Sequence, residues 1–188
     1  MWLEGKGELD TPLAQALLSG DPPSDDPVQQ AYANARKKWL NMNAFLAKLW
    51  ALDIIDEHIY GISTMSMCIE PLPLSFSSGP STSDIEGREV DEPQELCIEV
   101  AAIWVTIAGA KMYACKEILG PKGNPKWEDD RGRPGGSGGT WDGVDGYHPD
   151  RWAHWKGIFQ EIASGTWREN VIQAAKVSIL NCYRPVVV

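Results

Sequence analysis

The segment that most constrains the fold of this chain is 147–163, with the sequence YHPDRWAHWKGIFQEIA. Its large apolar residues recur at steps of three and four, which places them on one face of a helix: Trp152, Trp155, Phe159 and Ile162. His148 stands at the position of the N-cap. The segment therefore predicts a helix that buries tryptophans in a core, and it names no chemistry by itself.

Two further helical patterns occupy the first part of the chain. Asp26 and Pro27 form a helix start, and the helix runs to Trp50. Its predicted apolar stripe contains Trp39, Met42, Leu46 and Leu49, with Phe45 alongside. The next helix ends at Pro71 and carries Ile55, Ile59, Ile62, Met65 and Ile69.

Two more helical patterns lie on either side of the 147–163 segment. Pro93 opens a helix that stops before Gly120. Its predicted buried stripe is Cys97, Val100, Ala101, Trp104, Ile107 and Ala108. Thr166 and Glu169 fit a capping box, which predicts the start of the last helix. That helix has the stripe Val171, Ala174, Ala175 and Ser178.

The remaining residues form an N-terminal arm and two irregular stretches. The arm, 1–26, is predicted to contain a short helix that begins at the cap residue Thr11 and ends at Gly20, followed by a Pro/Asp linker. Residues 71–92 and 120–147 show no helical period, and loops of such length are usually lids or disordered insertions. No pattern of paired strands or hairpins is present. We expect one all-α domain over 1–188, a bundle of about five to seven helices with two long irregular loops.

Charge and the N-terminal sequence limit the classes of partner. With 17 basic and 26 acidic residues the net charge is -9, which disfavours nucleic acid and anionic membranes. The N-terminal MWLEGKGELD has neither the basic nor the apolar region of a secretory signal, and no uninterrupted apolar run of roughly 18 residues is present. The four cysteines lie far apart and predict reduced, buried thiols: Cys68, Cys97, Cys115 and Cys182. We predict a cytoplasmic or nuclear protein that is not secreted and makes no membrane contact.

Two motifs resemble ligand-binding sites, but a structural role explains each of them better. The glycine-rich run 132–139, GRPGGSGG, lacks the following Gly-Lys-Ser/Thr and the preceding strand of a phosphate-binding loop, which favours a flexible loop. Asp53, Asp56, Glu57 and His58 lie at a helix start, where capping and the helix dipole explain acidic residues. A second cluster of metal ligands is missing. The sequence therefore predicts no metal and no cofactor.

Three residues are candidates for proton transfer in catalysis. His58, Tyr113 and His148 could move a proton, but His58 falls beside isoleucines and none of the three has an obvious nucleophile partner. No nucleophile elbow is present, so a hydrolase triad is not supported. Arg151 leaves two interpretations open: an ion pair that closes the preceding loop, which is the commoner outcome, or a group that stacks on an indole and binds a ligand.

Three blocks of the sequence extend over about three quarters of the chain: 40–49 (LNMNAFLAKL), 100–113 (VAAIWVTIAGAKMY), and Gly139-Thr140-Trp141 leading into 147–163. These blocks resemble a fungal family catalogued as domain of unknown function number 3632. The last block is the most specific, through Arg151, Trp152, Trp155, Lys156, Phe159, Glu161, Ile162 and Ala163. The chain departs from the family pattern at His148, where a serine-like cap is favoured, and in the glycine-rich insertion before Trp141. The resemblance implies an all-helical intracellular fungal protein and supplies no activity.

Three hypotheses for function follow. The leading one is a non-catalytic module that binds a small ligand or a protein partner in an aromatic pocket between the helices at 93–118 and 149–163. Its predicted binding residues are Trp104, Trp141, Asp150, Arg151, Trp152 and Trp155. The second is a cofactor-independent cyclase, isomerase or lyase of fungal secondary metabolism that uses His58, Tyr113 or His148. In the third, the tryptophans serve only as core, and the protein is structural or interacts through its surface. The ligand, the partner and the oligomeric state stay open.

Overall fold

The computed structural model describes residues 27–71 and 93–182, which form five α-helices and no β-strand. The helices are α1 (Pro27–Ala51), α2 (His58–Cys68), α3 (Pro93–Ala114), α4 (Pro149–Ser164) and α5 (Glu169–Asn181). The prediction of a single all-α domain is confirmed. The predicted N-terminal arm with its short helix, and the 71–92 loop beyond its first residue, lie outside the described residues.

Helix α3 is the centre of the bundle. It packs against α1, α2 and α5, while α4 packs against α5. Its residues Val100 to Val105 are all buried, as expected for a helix that is apolar on every side. By length and composition, Gln94–Ala114 could cross a membrane, but 61% of that apolar stretch is buried inside the protein. Its apolar character is therefore accounted for by its position in the core.

The buried face of α1 differs from the predicted stripe. The helix turns Leu40, Ala47 and Trp50 into the core, together with two polar side chains, Arg36 and Asn43. These polar groups have buried partners: the indole nitrogen of Trp104 donates to Asn43 Oδ1 (3.0 Å), and Arg36 pairs with Glu99 of α3. A partnered polar residue can occupy a core position, which the hydrophobic pattern could not reveal.

The predicted stripe of α1 instead lies largely at the surface. Trp39 is 45% exposed, Met42 is 38% exposed and Phe45 is 60% exposed, while Leu46 and Leu49 are half-buried. The prediction that this stripe faces the core is therefore wrong. The helix has a second apolar face beside its polar-containing inner face, and spacing alone does not show which of the two is buried.

Two helix starts also differ from the predictions. Helix α2 begins only at His58, so Ile55 lies in the preceding turn, and Ile59 is exposed. Helix α5 begins at Glu169 with Arg168 as N-cap, so Thr166 is not the N-cap of a capping box. The carboxylate of Glu169 accepts a hydrogen bond from Gln173 one turn later. By contrast, the prediction for α4 is confirmed, because Nδ1 of His148 accepts from the backbone N–H of Asp150 (3.2 Å).

The segment between α3 and α4 is irregular, as predicted, and is bound to itself and to the core. An isolated antiparallel bridge joins Ile118 to Gly146, and a short 3-10 turn covers Asp129–Arg131. Asp145 is 1% exposed, and its carboxylate accepts two hydrogen bonds from Nη2 of Arg133 (2.9 and 3.1 Å). This segment, 115–148, ends at the start of α4, the helix that contains most of the 147–163 motif.

Candidate functional site

A buried ion pair joins the end of α2 to the start of α4. Glu70 and Arg151 are both fully buried, and the guanidinium binds the carboxylate through Nε (2.7 Å) and Nη2 (3.1 Å). The other three N–H groups of Arg151 donate to the carbonyl oxygens of Gly135, Gly136 and Gly146. All five N–H groups of the arginine are therefore used within the protein. The contacts are those of an ion pair that closes the loop, the first of the two interpretations.

The glycine run fits closely against this ion pair. The backbone N–H of Gly138 donates to Oε2 of Glu70 (2.8 Å), and Thr140 donates twice to the Glu70 carbonyl oxygen. A Cβ atom at Gly138 would lie 1.5 Å from the carbonyl oxygen of Ser66. The glycines therefore allow two backbones to approach each other, a role that differs from both flexibility and phosphate binding.

Three of the four tryptophans predicted to form the aromatic pocket lie in the core. Trp104, Trp152 and Trp155 are buried, and the indole nitrogen of Trp155 donates to Oε1 of Glu70 (2.7 Å). The centroids of neighbouring rings in this cluster lie about 6 Å apart, as expected for core aromatic packing. Trp141 is half-buried and contacts the ring of His154, and Asp150 is 81% exposed. Of the six predicted binding residues, Trp141 and Asp150 are the two that are not buried.

An open cleft lies elsewhere, where the α1–α2 turn meets the end of α3. It has a volume of about 500 Å³. Its lining combines apolar and charged side chains: Trp50, Asp53, Ile54, Ile55, Asp56, His58, Lys111, Ala114, Cys115 and Glu117. This volume falls within the range of small-molecule sites, roughly 300–1,000 Å³. We take the cleft as the candidate functional site.

His58 is the predicted catalytic candidate that lines this cleft. Its Nδ1 lies 2.8 Å from Oδ1 of Asp56, which also accepts the backbone N–H of His58 (3.2 Å). The hydrogen bond from the imidazole is the main reason that the pKa of Asp56 lies below its ordinary value. Because a carboxylate only accepts, Nδ1 carries the proton, and in the neutral ring Nε2 is left as an acceptor. The backbone carbonyl of His58 is held in turn by the hydroxyl of Tyr147 (2.7 Å).

Asp53 forms one rim of the cleft in an unusual backbone conformation. Its φ angle is 58°, in the left-handed region that favours glycine. The N–H groups of Asp53 and Ile54 donate to the carbonyl oxygens of Trp50 and Leu49, which is the Schellman pattern at a helix end. The Asp53 carboxylate pairs with Lys111 across the cleft. An exposed aspartate thus occupies a position that glycine would fill with less strain.

Tyr113 and His148 lie outside the lining of the cleft. Tyr113 is 46% exposed and packs edge-on against Trp152, and His148 caps α4. Cys115 does line the cleft, but burial raises the pKa of its thiol, which reduces the thiolate fraction needed for nucleophilic attack. Across 27–71 and 93–182, no three His, Cys, Asp or Glu side chains are grouped so that they could hold a metal ion.

Sequence reasoning did not identify the cleft or Glu70. The cleft assembles a turn and a helix end that lie more than fifty positions apart in the chain, so no local motif records it. Glu70 carried one available signal: it is an acidic residue at the end of a helix, directly before Pro71, where the helix dipole disfavours negative charge. A carboxylate in that position requires a partner elsewhere, which here is Arg151.

Comparison with family models supports the resemblance noted in the sequence. The model of a family described as "Protein of unknown function (DUF3632)" matches residues 9–159. No curated protein and no solved structure matches the chain.

Proposed function

The chain belongs to the family of unknown function DUF3632, and on that premise we propose that it is a binding module that takes a small organic ligand in the cleft beside His58. The cleft is the observation that carries the proposal, because it combines sufficient volume with apolar and charged groups that converge on it. The tryptophans of the cluster, in contrast, are buried in the core.

The charges around the cleft favour a ligand with an apolar body and a cationic group. Three carboxylates line it, from Asp53, Asp56 and Glu117, against one ammonium group, that of Lys111. Nε2 of a neutral His58 adds a further acceptor. A protonated amine would find acceptors in the three carboxylates and in Nε2 of His58, whereas a carboxylate ligand would be repelled by the three carboxylates.

Matched fragments can test this proposal. 3-Phenylpropylamine and 3-phenylpropionate share an apolar body and differ in the sign of their charge, and binding can be followed by ligand-observed NMR. We expect the amine to bind, and Asp56→Asn to weaken it by roughly 5-fold or more, since charge-assisted hydrogen bonds are the stronger ones. Asp150→Asn is the matched control, because Asp150 lies outside the cleft lining and should leave affinity unchanged. Equal binding of both fragments, or an Asp56→Asn variant with wild-type affinity, would contradict the proposal.

An enzymatic role of the same cleft would rest on His58. The imidazole is oriented by Asp56 and faces the cleft, an arrangement that general acid–base catalysis also uses. The two roles separate in one variant: His58→Gln would abolish turnover of a substrate while largely retaining its binding. Binding is favoured here because Cys115 is a poor nucleophile and neither Tyr113 nor His148 lines the cleft.

The outer face of α1 supports a second candidate function, the docking of a protein partner. Trp39, Met42 and Phe45 form an exposed apolar stripe. The helix contains Lys37, Lys38 and Lys48 at the surface, and its sequence has no acidic residue although the chain is acidic as a whole. This combination fits an acidic amphipathic helix, whose apolar face would cover the stripe while its carboxylates meet the lysines. Pairing of α1 with its own copy would bring like charges together.

Two labelled peptides test the docking surface by fluorescence anisotropy. Both present leucines along one helical face, and the remaining positions are glutamate in one and lysine in the other. We expect the acidic peptide to bind about 10-fold more tightly, a difference near 1.4 kcal/mol, and Phe45→Ala and Lys38→Glu to weaken it. Met67→Ala, an exposed methionine on α2, is the control. Equal affinity for both peptides, or self-association of the protein without peptide binding, would overturn this assignment.

A further inference from the structure

The ion pair between Lys111 and Asp53 spans the cleft beside His58. Asp53 belongs to the α1–α2 turn and Lys111 to the last turn of α3, and both side chains line the cleft. Because the two side chains come from opposite walls, the lysine extends across the space in which we place the ligand. An ammonium group of the protein itself therefore already satisfies one of the three carboxylates of the cleft.

The side chain of Lys111 has the chemistry of the proposed ligand. It consists of a four-carbon apolar stem and a terminal ammonium, which together amount to an alkylammonium ion. The stem lies among the groups that line the cleft, since only 29% of the side chain is exposed, and its charge meets a carboxylate. The contact places a cation on the Asp53 side of the cleft, which a count of charges alone could not do.

The ammonium of this pair can be exchanged for another cation. The Asp53 side chain is 82% exposed, and exposed ion pairs add little stability because water competes for both charges. The flexible lysine stem can also turn its ammonium into solvent without any movement of the backbone. The pair of Glu70 with Arg151 is the opposite case, because both groups are fully buried and the guanidinium also binds backbone carbonyl groups. Of these two ion pairs, that of Lys111 is the one that a ligand can replace.

We propose that Lys111 is an internal competitor of the ligand: its ammonium holds Asp53 in the ligand-free protein and leaves when the ammonium of a bound amine takes its place. Resting on the proposed function, this exchange makes Asp53, next to Asp56, a second carboxylate that contacts the ligand, whose N–H groups can reach more than one acceptor. The strained backbone of Asp53, with its φ of 58°, agrees with such a role, because strain is retained where a side chain is needed for binding.

The exchange has a consequence for selectivity. One cation replaces another, so the net charge of the cleft stays the same when the ligand binds. A simple amine therefore gains little, because its contacts only repeat those of the lysine side chain. A ligand gains affinity when its apolar body makes contacts with the cleft that the lysine stem does not make.

Lys111→Met tests the competition, because methionine keeps an unbranched apolar stem without the charge. By ligand-observed NMR we expect 3-phenylpropylamine to bind this variant about 2- to 5-fold more tightly than the wild type, the range that the loss of an exposed ion pair predicts. Lys116→Met removes the same charge from an exposed lysine outside the lining, and should change the affinity by less than about 1.5-fold in about 0.1 M salt. Adding Asp53→Asn to Lys111→Met should cancel the gain, because the vacated carboxylate is then missing.

A second measurement detects the displacement in the wild-type protein. The lysines are labelled with carbon-13 at Cε, and the signal of Lys111 is assigned by its absence from Lys111→Met. We expect saturation with 3-phenylpropylamine to move this signal towards those of two exposed lysines of α1, Lys37 and Lys38.

The results distinguish failure of the competition from failure of ligand binding. An amine that binds the wild type but binds Lys111→Met no more tightly would overturn the competition and leave the binding module intact. A Lys111 signal that stays in place at saturation would do the same. If neither protein binds the amine, the proposed function fails and the competition fails with it.

Discussion

Replacing the buried carboxylate of Glu70 with an amide should destabilise the protein strongly. In Glu70→Gln the side chain keeps its size, but the guanidinium of Arg151 is left fully buried without a counter-charge. The wild-type Oε2 accepts from both Arg151 Nη2 and the Gly138 N–H, so an amide nitrogen placed there would oppose two donors. If the amide were turned the other way, its nitrogen would oppose Nε of Arg151 and the indole nitrogen of Trp155.

The expected loss follows from these contacts. Removing one partner of a buried ion pair lowers the free energy of unfolding by about 3–5 kcal/mol. In a protein of this size, such a loss lowers the melting temperature by roughly 6–20 °C. Urea denaturation followed by circular dichroism measures the free energy of unfolding. Hydrogen exchange at the Gly138 and Thr140 amides, which donate to Glu70, should accelerate in the same variant.

Two further variants make the test specific. Glu128→Gln changes an exposed carboxylate and should alter the free energy of unfolding by less than about 0.5 kcal/mol. In a double-mutant cycle, Arg151→Met together with Glu70→Gln should cost less than the sum of the single changes, with a coupling of about 1–3 kcal/mol. A Glu70→Gln variant that loses less than about 1 kcal/mol, or strictly additive effects, would refute the reasoning.

Three further predictions concern stability. Asp53→Gly should raise the free energy of unfolding by roughly 0.5–1 kcal/mol, because glycine adopts a φ of 58° without strain; an unchanged or lower urea midpoint would count against this. Gly138→Ala should prevent folding, since its Cβ would lie 1.5 Å from the Ser66 oxygen. Gly157→Ala should instead stabilise the protein by about 1 kcal/mol, because a Cβ added at this position of α4 meets open space. A folded Gly138→Ala variant, or a Gly157→Ala variant that melts at a lower temperature, would contradict the corresponding assignment. Burial lowers the pKa of His154 from its ordinary value of 6.5, so below pH 6.5 this side chain binds more protons in the unfolded chain than in the folded one. The free energy of unfolding should therefore fall as the pH drops towards the folded pKa. His154→Gln should flatten that part of the pH profile, and an unchanged slope would disprove the assignment.

The helices could be predicted because their signals are local. Proline residues mark the first positions of α1, α3 and α4, and the aromatic spacing of 147–163 matches the buried face of α4, where Trp155 and Phe159 are almost fully enclosed. The α1 stripe was mispredicted for a physical reason. The inner face of that helix includes Arg36 and Asn43, which are buried because Glu99 and Trp104 satisfy them, and only the folded structure supplies those partners.

The candidate site depended on contacts that no local pattern encodes. Arg151 was singled out from the sequence, but the choice between an ion pair and a ligand contact required the position of Glu70. His58 had no obvious partner in the sequence. In the structure it lines a cleft whose opposite wall is formed near the end of α3, at Lys111 and Cys115.

The ion pair between Glu70 and Arg151 has a consequence for the order of folding. The two residues are 81 positions apart, and both of their charges stay in water until the end of α2, the glycine run and the start of α4 have come together. Contacts of such long range close a large loop and therefore form slowly, whereas the helices themselves form early. If this ion pair is absent from the folding transition state, its loss will accelerate unfolding far more than it slows folding. The network around Arg151 would then determine how long the native protein persists, in addition to how stable it is.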